Sequence, residues 1–228
     1  MLEAKKLSLF VTGTDTGVGK TLVSTALLHA LARHYPRVVG MKPVAAGTTL
    51  VQNLHANDDV LALRAASNHR VAPKLDNPVL LPDPVSPHIA AARAGVRIDI
   101  AHLVECHRAL MSQADAVVVE GAGGFMVPLS ETETGADLAQ AMDLPVVLVV
   151  GLRLGCLNHT MLTAEAIRIR GLTLAGWVAN HIDPSMLAQA DNLAFLQQHM
   201  AAPLLANIAY QLQPDPKTLN LELPPTWQ

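Results

Sequence analysis

The stretch FVTGTDTGVGKT, Phe10 to Thr21, decides the reading of the fold. It ends as a phosphate-binding loop ends, in Gly19-Lys20-Thr21, yet one residue more than the usual spacing separates Gly13 from Gly19. An apolar run, LSLFV, leads into it. The segment VSTALLHALARH follows, with Val23, Ala26, Leu27, Ala30 and Leu31 at the i, i+3, i+4, i+7, i+8 spacing of one apolar helix face. In this strand-loop-helix setting the backbone N–H groups of Gly17, Val18, Gly19, Lys20, Thr21 and Leu22 can surround phosphate oxygens at a helix N-terminus. Lys20 can reach the outer phosphates, and the Thr21 hydroxyl can ligate Mg²⁺. A glycine-rich turn with a chance Gly-Lys-Thr is the alternative.

Outward from the loop, short β-rich runs alternate with helical patterns: VVGMK, DDVLALRAAS, AHLVECHRALMSQ, AVVVEG, DLAQAMD, PVVLVVG, HTMLTAEAIRIRG, LAGWVAN and MLAQADNLAFLQQHM. Such alternation predicts an α/β fold with a mostly parallel sheet and helices on both faces. The strands near Val117 and Val147 lack polar alternation, as strands covered on both faces do. All 228 residues read as one domain. Prolines at 73, 78, 82, 84 and 87 mark an excursion over the sheet that reads as a substrate-side loop. After Ala209 no clear element is visible.

Half the residues are hydrophobic, 15% are charged and 3% are aromatic, which predicts an aliphatic core. A net charge of −3 provides no basic field to collect nucleic acid or anionic lipid. The longest apolar run, Leu144 to Leu152, is far short of the ~20 residues that cross a bilayer and reads as a buried strand. Cys106 and Cys156 lack paired spacing, which fits a reducing cytosol.

Three further stretches carry candidate chemistry. In VVGMKPVAAG a strand ends at Lys42; beside the first strand it would bring Lys42 to the carboxyl edge of the sheet, where open α/β folds bind ligands. A solvated lysine at a strand end is the competing reading. In ADAVVVEGAGG, Glu120 closes an apolar strand before a glycine turn of Gly121, Ala122 and Gly123, so its carboxylate falls at the same edge and can hold a metal. Asp59 in NDDVLAL can join it, but Asp58 or Asp59 as a helix cap is the reading that local physics favours. Two helix starts can receive an anion: Ser86-Pro87, and Gly155, Cys156, Leu157 and Asn158. The histidines form no metal-ligand spacing.

Together GTDTGVGKT, MKPVAAG, VVVEGAGG, VVGLRLGCLNHTMLTAE and GWVAN, in this order, resemble the dethiobiotin synthetase family over about Leu7 to Asn180. The longer loop is a mark of that family. The resemblance implies a P-loop NTPase fold and an ATP- and Mg²⁺-dependent cytoplasmic homodimer. Its reaction would carboxylate and cyclise 7,8-diaminopelargonic acid with CO₂. It further implies that Lys20 and Thr21 bind triphosphate and Mg²⁺, that Asp59 and Glu120 complete the metal site, that Lys42 is catalytic, and that Asn180 with His181 faces the adenine. The helix start Gly155 to Asn158 would bind the substrate carboxylate from the second subunit. No nucleic acid or membrane partner is implied.

The chain departs from the family pattern in three places. Ala46 stands where a hydroxyl residue is common, with Thr48 as a candidate substitute; Gly17 stands where some members are acidic; and Ala206-Asn207-Ile208-Ala209 replaces Gly-x-Ile-Pro. A switch or partitioning ATPase of the related P-loop group is the main competitor, but the loop opening Thr12-Gly13-Thr14-Asp15 lacks the early lysine typical of it. The amidating cobyrinic acid synthetases carry an additional glutaminase domain that 228 residues do not accommodate.

Overall fold

The computed structural model describes residues 6–51 and 54–228. The chain opens with β1 (Leu7–Gly13) and α1 (Lys20–Leu31), joined by the glycine loop. It continues through β2 (Val38–Met41), β3 (Val44–Ala46), β4 (Thr49–Val51), β5 (Leu54–Ala56), α2 (Asp58–Ala66), α3 (Pro73–Asp76), β6 (Val79–Leu81), α4 (Pro87–Ala94) and α5 (Ile100–Gln113). The second half runs β7 (Ala116–Glu120), α6 (Gly135–Met142), β8 (Val146–Leu152), α7 (Cys156–Ile169), β9 (Leu174–His181), α8 (Gln189–His199) and β10 (Leu204–Ile208).

Six strands form the central sheet in the order β10-β9-β8-β1-β7-β2, and every pair in it is parallel. Its centre is built from the runs AVVVE and VVLVVGL, buried at every position. Each such Val or Leu taken out of water stabilises the fold by roughly 1.5–3 kcal/mol. One face is covered by Leu103, Leu110, Leu138 and Ala139 of α5 and α6, the other by Val23, Leu27 and Leu31 of α1. Leu28, Ser24 and Thr25 of α1 are buried as well, because α2 and the C-terminal segment pack against its outer side.

The strand that carries Lys42 is not adjacent to β1, as the reading of its sequence supposed: β7 lies between them, pairing with β1 through Leu7↔Ala116 to Val11↔Glu120 and with β2 through Val38↔Ala116 to Met41↔Val119. Lys42 still reaches the carboxyl edge, since β2 and β7 run the same way. As the sheet's edge strand, β2 would expose unpaired amides. Asn68 Oδ1 accepts from Val38 N–H at 2.7 Å and Ser67 Oγ from Gly40 N–H at 2.9 Å, which close that edge.

The proline-marked excursion contains structure of its own. α3 leads into β6, which pairs with β3 in a separate parallel ribbon, and β4 pairs with β5 as a hairpin. Two further features had no counterpart in the reading of the sequence. β10 extends the sheet, and the segment after Ala209 returns over α1, burying Leu221 and Trp227 against it. Among the described residues no helix is long and apolar enough to cross a membrane.

Candidate active site

The loop after β1 wraps around its own lysine. Gly17 and Gly19 adopt φ of +74° and +93°, in the left-handed region that glycine enters freely. This turn lets the Lys20 ammonium fold back to donate to Asp15 O at 2.9 Å. Lys20 is 7% exposed, and burial together with the nearby Lys42 charge lowers its pKa to about 8. At Gly19 a Cβ would come within 2.3 Å of Asn180 Nδ2, so the loop and the end of β9 touch where a side chain cannot stand. Asn180 Nδ2 donates to Val18 O at 2.9 Å, tying the two together.

Beside Lys20 four side chains converge from four elements. Lys42 Nζ, past the end of β2, donates to Glu120 Oε1 at 2.6 Å, to Asp59 Oδ2 at 2.9 Å and to Gly121 O at 3.3 Å. Thr21 Oγ1 lies 2.7 Å from Asp59 Oδ1 and 2.9 Å from Glu120 Oε1. Burial opposes the Lys42 ammonium, but Glu120 and then Asp59 outweigh it and hold its pKa above the ordinary lysine value. Burial opposes the Asp59 carboxylate too, and Lys42 outweighs it and holds that pKa below the usual range. Glu120 is fully buried, and its Oε2 has no hydrogen-bond partner in the protein.

The local fold explains why Asp59 is available. Asn57, not Asp58 or Asp59, is the N-cap of α2, its Oδ1 accepting from Asp59 N–H at 3.1 Å and Val60 N–H at 3.3 Å. The helix-cap reading of the acidic pair is thus corrected, and the Asp59 side chain turns to Thr21 and Lys42 instead. Lys42 is placed by its backbone: its N–H donates to Asp76 O at 2.8 Å, and its carbonyl accepts from Asn77 Nδ2 at 2.7 Å. Asp76 is in turn held by Arg64 of α2 at 2.8 and 2.5 Å.

Thr21, Asp59 and Glu120 suit Mg²⁺. Among the described residues no three His, Cys, Asp or Glu side chains gather as a metal cage. Two carboxylates and a hydroxyl are the sparse oxygen set that Mg²⁺ takes when phosphates supply its remaining ligands. The unpartnered Glu120 Oε2 is consistent with that use.

Above these groups opens a cavity of about 670 Å³. Gly17, Gly19, Lys20, Thr21, Lys42, Ala46, Asp59, Ala122 and Gly123 line it. Its far wall is Pro84, Val85, Ser86 and Pro87, so the proline-rich excursion does face the site and brings the start of α4 with it. Of that wall, Ser86 and Pro87 were read from the sequence as a helix start able to receive an anion, whereas Val85, Thr16, Val44 and Val127, which also line the cavity, were not read as site residues. Five prolines and a Ser-Pro helix start were the signal for the wall.

Several expected residues lie elsewhere. Glu120 sits beneath the cavity floor, and Val18 is buried with its carbonyl on Asn180. Gly121 N–H is spent on Val11 O at 2.9 Å, and the Leu22 side chain packs against the core beside α1 and is not part of the cavity lining. Thr48 does not stand in for the hydroxyl missing at Ala46. It lines a neighbouring recess, and its Oγ1 pairs with His55 Nδ1 at 3.0 Å. Gly155 and Asn158 are exposed at the start of α7, outside this chain's cavity, and the Cys156 N–H already donates to Arg153 O at 3.0 Å. Arg153 also pairs with the Asp15 carboxylate of the loop. At the end of β9, His181 Nδ1 meets Gln189 Oε1 and its Nε2 meets Asn207 Oδ1, both at 2.8 Å.

Known proteins agree with this architecture. The family described as the AAA domain matches residues 8–218. Among solved structures, the chain is similar to a ParA family ATPase from Chlorobium tepidum TLS, with a TM-score of 0.54 and 13% identity over 92% of this chain and 86% of that one. It is also similar to the MinC:MinD cell division protein complex of Aquifex aeolicus, with a TM-score of 0.54 and 16% identity over 90% of this chain and 82% of that one. A third likeness is to the signal recognition particle receptor FtsY from Elizabethkingia anophelis, with a TM-score of 0.52 and 15% identity over 98% of this chain and 64% of that one. At these identities the likeness speaks for the fold alone, which is the P-loop NTPase fold.

Proposed function

The chain belongs to the AAA domain family, and from that premise we propose that it is a dethiobiotin synthetase, using ATP and Mg²⁺ to join CO₂ to 7,8-diaminopelargonic acid and close the ureido ring. The observation that carries this reading is the convergence of Lys20, Thr21, Lys42, Asp59 and Glu120 at one cavity that also has a second, largely uncharged wall at Pro84–Pro87. A nucleotide alone does not call for that wall. A second, mostly aliphatic reactant does.

The chemistry needs position and positive charge more than a protein nucleophile. One substrate amine adds to CO₂ and loses a proton, giving a carbamate. A carbamate oxygen then attacks the γ-phosphorus and ADP leaves. The neighbouring amine attacks the carbamoyl carbon, phosphate departs, and the amine proton is lost. In this scheme the loop amides and Lys20 hold the triphosphate, and Lys42 neutralises charge that develops between carbamate and γ-phosphate. Thr21, Asp59 and Glu120 would hold Mg²⁺, which when bound screens the transferring phosphoryl group. The Pro84–Pro87 wall and Ala46 would orient the diamine, and ring closure gains from being intramolecular. The start of α7, exposed in one chain, would meet the substrate carboxylate of a partner in a cytosolic homodimer.

The second reading, a switch or partitioning ATPase, draws on the likeness to the ParA family ATPase and to MinD. One assay separates them. Purified protein given ATP, Mg²⁺, bicarbonate and the diamine should form dethiobiotin and ADP in equal amounts, and ATP turnover indifferent to diamine and bicarbonate would sink the proposal. Lys42→Gln should leave ATP affinity within about threefold while cutting turnover by roughly 10²–10³, the loss typical of one group that stabilises transition-state charge.

A further inference from the structure

The carboxylate oxygens that would take a metal beside the phosphate loop already have a cation on them. Lys42 Nζ stands 2.6 Å from Glu120 Oε1 and 2.9 Å from Asp59 Oδ2. Thr21 Oγ1 lies 2.7 Å from Asp59 Oδ1 and 2.9 Å from Glu120 Oε1, yet a hydroxyl has one proton to give. It serves one carboxylate and meets the other through a lone pair, so hydrogen bonds from Thr21 do not account for the crowding of these oxygens. The Lys42 ammonium, which touches both carboxylates, draws them together.

Charge decides what else can enter. Asp59 and Glu120 are balanced by Lys42 and Lys20, which line the cavity above them. A bare divalent ion added to this set meets two ammonium groups as well as two carboxylates, and like charges a few ångströms apart repel strongly where water is excluded. A divalent ion carried by a polyphosphate brings its own counter-charge, and so competes with Lys42 for the same oxygens without leaving the pocket overcharged.

The Lys42 side chain can yield without moving the chain. Its main chain is fixed on both sides, the N–H on Asp76 O at 2.8 Å and the carbonyl by Asn77 Nδ2 at 2.7 Å, so displacement is confined to side-chain torsions. A third acceptor, Gly121 O at 3.3 Å, is a backbone carbonyl that remains when a carboxylate is taken by a metal. Because Lys42 also lines the cavity, an ammonium leaving Asp59 or Glu120 turns toward what lies beside the outer phosphate.

We infer that Lys42 is the internal counter-ion of the metal site: it holds Glu120 and Asp59 until nucleotide delivers Mg²⁺, then releases at least one of them and turns its ammonium into the cavity. Bare metal is thereby refused, and the lysine meets the reacting groups when nucleotide and metal are both in place. This rests on nucleotide and Mg²⁺ binding at the loop and does not depend on which second reactant the cavity takes.

Mn²⁺, a paramagnetic stand-in for Mg²⁺ whose free ion is counted by electron paramagnetic resonance, tests it. Without nucleotide, Lys42→Gln should bind Mn²⁺ at least about tenfold more tightly than the unmodified protein, because one positive charge has left the carboxylates. Lys42→Arg, which keeps the charge, should bind it as weakly as the unmodified protein. Equal nucleotide-free affinity in Lys42→Gln and the unmodified protein overturns the inference. Crystals of the unmodified protein with Mn²⁺ and ADP give a reading that no variant's folding can spoil. With the metal located by its anomalous scattering, Lys42 Nζ should lie beyond hydrogen-bond distance of Asp59 or of Glu120. An Nζ that keeps both contacts beside the bound metal overturns the inference and leaves the dethiobiotin reading untouched. No Mn²⁺ bound with or without ADP overturns the metal reading itself, and this inference with it.

Discussion

The half of the carboxyl edge built on β1, β7 and β2 holds ionised groups away from water, whereas the half built on β8, β9 and β10 holds amides and an imidazole. In the first, Lys42 and Glu120 are 4% and 0% exposed, a burial that would cost several kcal/mol per ion if either stood alone. Lys42 is therefore held by Glu120 and Asp59, and Glu120 by Lys42 and Thr21, so each of the two ions loses compensation when the other is removed. In the second, Asn180, His181 and Asn207 need hydrogen-bond partners but no counter-charge, and His181 and Asn207 remain partly open to solvent. Buried charge makes its neighbours obligatory. Neutral polar groups tolerate change in theirs: the departures at Ala206 and Ala209 fall in the neutral half, while those at Gly17 and Ala46 line the cavity without replacing any of the paired ions.

Changes to each half should separate them. Glu120→Ala leaves the Lys42 ammonium buried with Asp59 as its remaining carboxylate, and should destabilise the nucleotide-free protein by about 3–5 kcal/mol in urea titration. Asn207→Ala, in the same measurement, should stay within about 0.5 kcal/mol. Equal losses would break the contrast between the halves.

Gly19→Ala attacks the joint between them. Its φ of +93° and the 2.3 Å approach to Asn180 Nδ2 both resist a Cβ, so it should lower stability by about 1–3 kcal/mol and loosen Asn180 from Val18 O. A melting temperature equal to that of the unmodified protein would show that the loop and β9 are not coupled.

A further expected effect is one of pH. The Lys20 ammonium, with its pKa lowered to about 8, is fully present below that pH and is lost as pH rises through it, so ATP binding above pH 8 must take up a proton. Affinity should be flat below about pH 7, be reduced about twofold at pH 8, and fall by at most about tenfold per unit above that. Lys20→Met should abolish that slope together with tight binding. A slope that survives the substitution would assign the titration to another group.

Much of the first half was legible in the residues. The strand-loop-helix context of Gly13 to Thr21 predicted the phosphate loop, and AVVVE ending in Glu120 predicted a carboxylate at the sheet edge, because uninterrupted Val runs and Gly-Lys-Thr have few other uses. Asp59 was hidden by its position. Two aspartates at a helix start look like caps, and only the backbone geometry that gives Asn57 that work frees Asp59 for Lys42. The wall at Pro84–Pro87 was visible as a proline-rich excursion but not as a surface facing Lys20, since that depends on β6 pairing with β3 across more than thirty residues. β10 and the tail that buries Trp227 gave weak local patterns, because their burial comes from distant partners, α1 and β9.

By itself, then, the order of residues determined the periodicities, the glycine loop and the chemical types available at strand ends, all of which act over a few residues through backbone sterics and side-chain direction. Strand order, the insertion of β7 between β1 and β2, the meeting of Thr21, Lys42, Asp59 and Glu120, and that of His181 with Gln189 and Asn207 were decided only by tertiary structure. Those features depend on contacts between residues far apart in the chain, and their energies exist only once the sheet has brought the partners within hydrogen-bond reach.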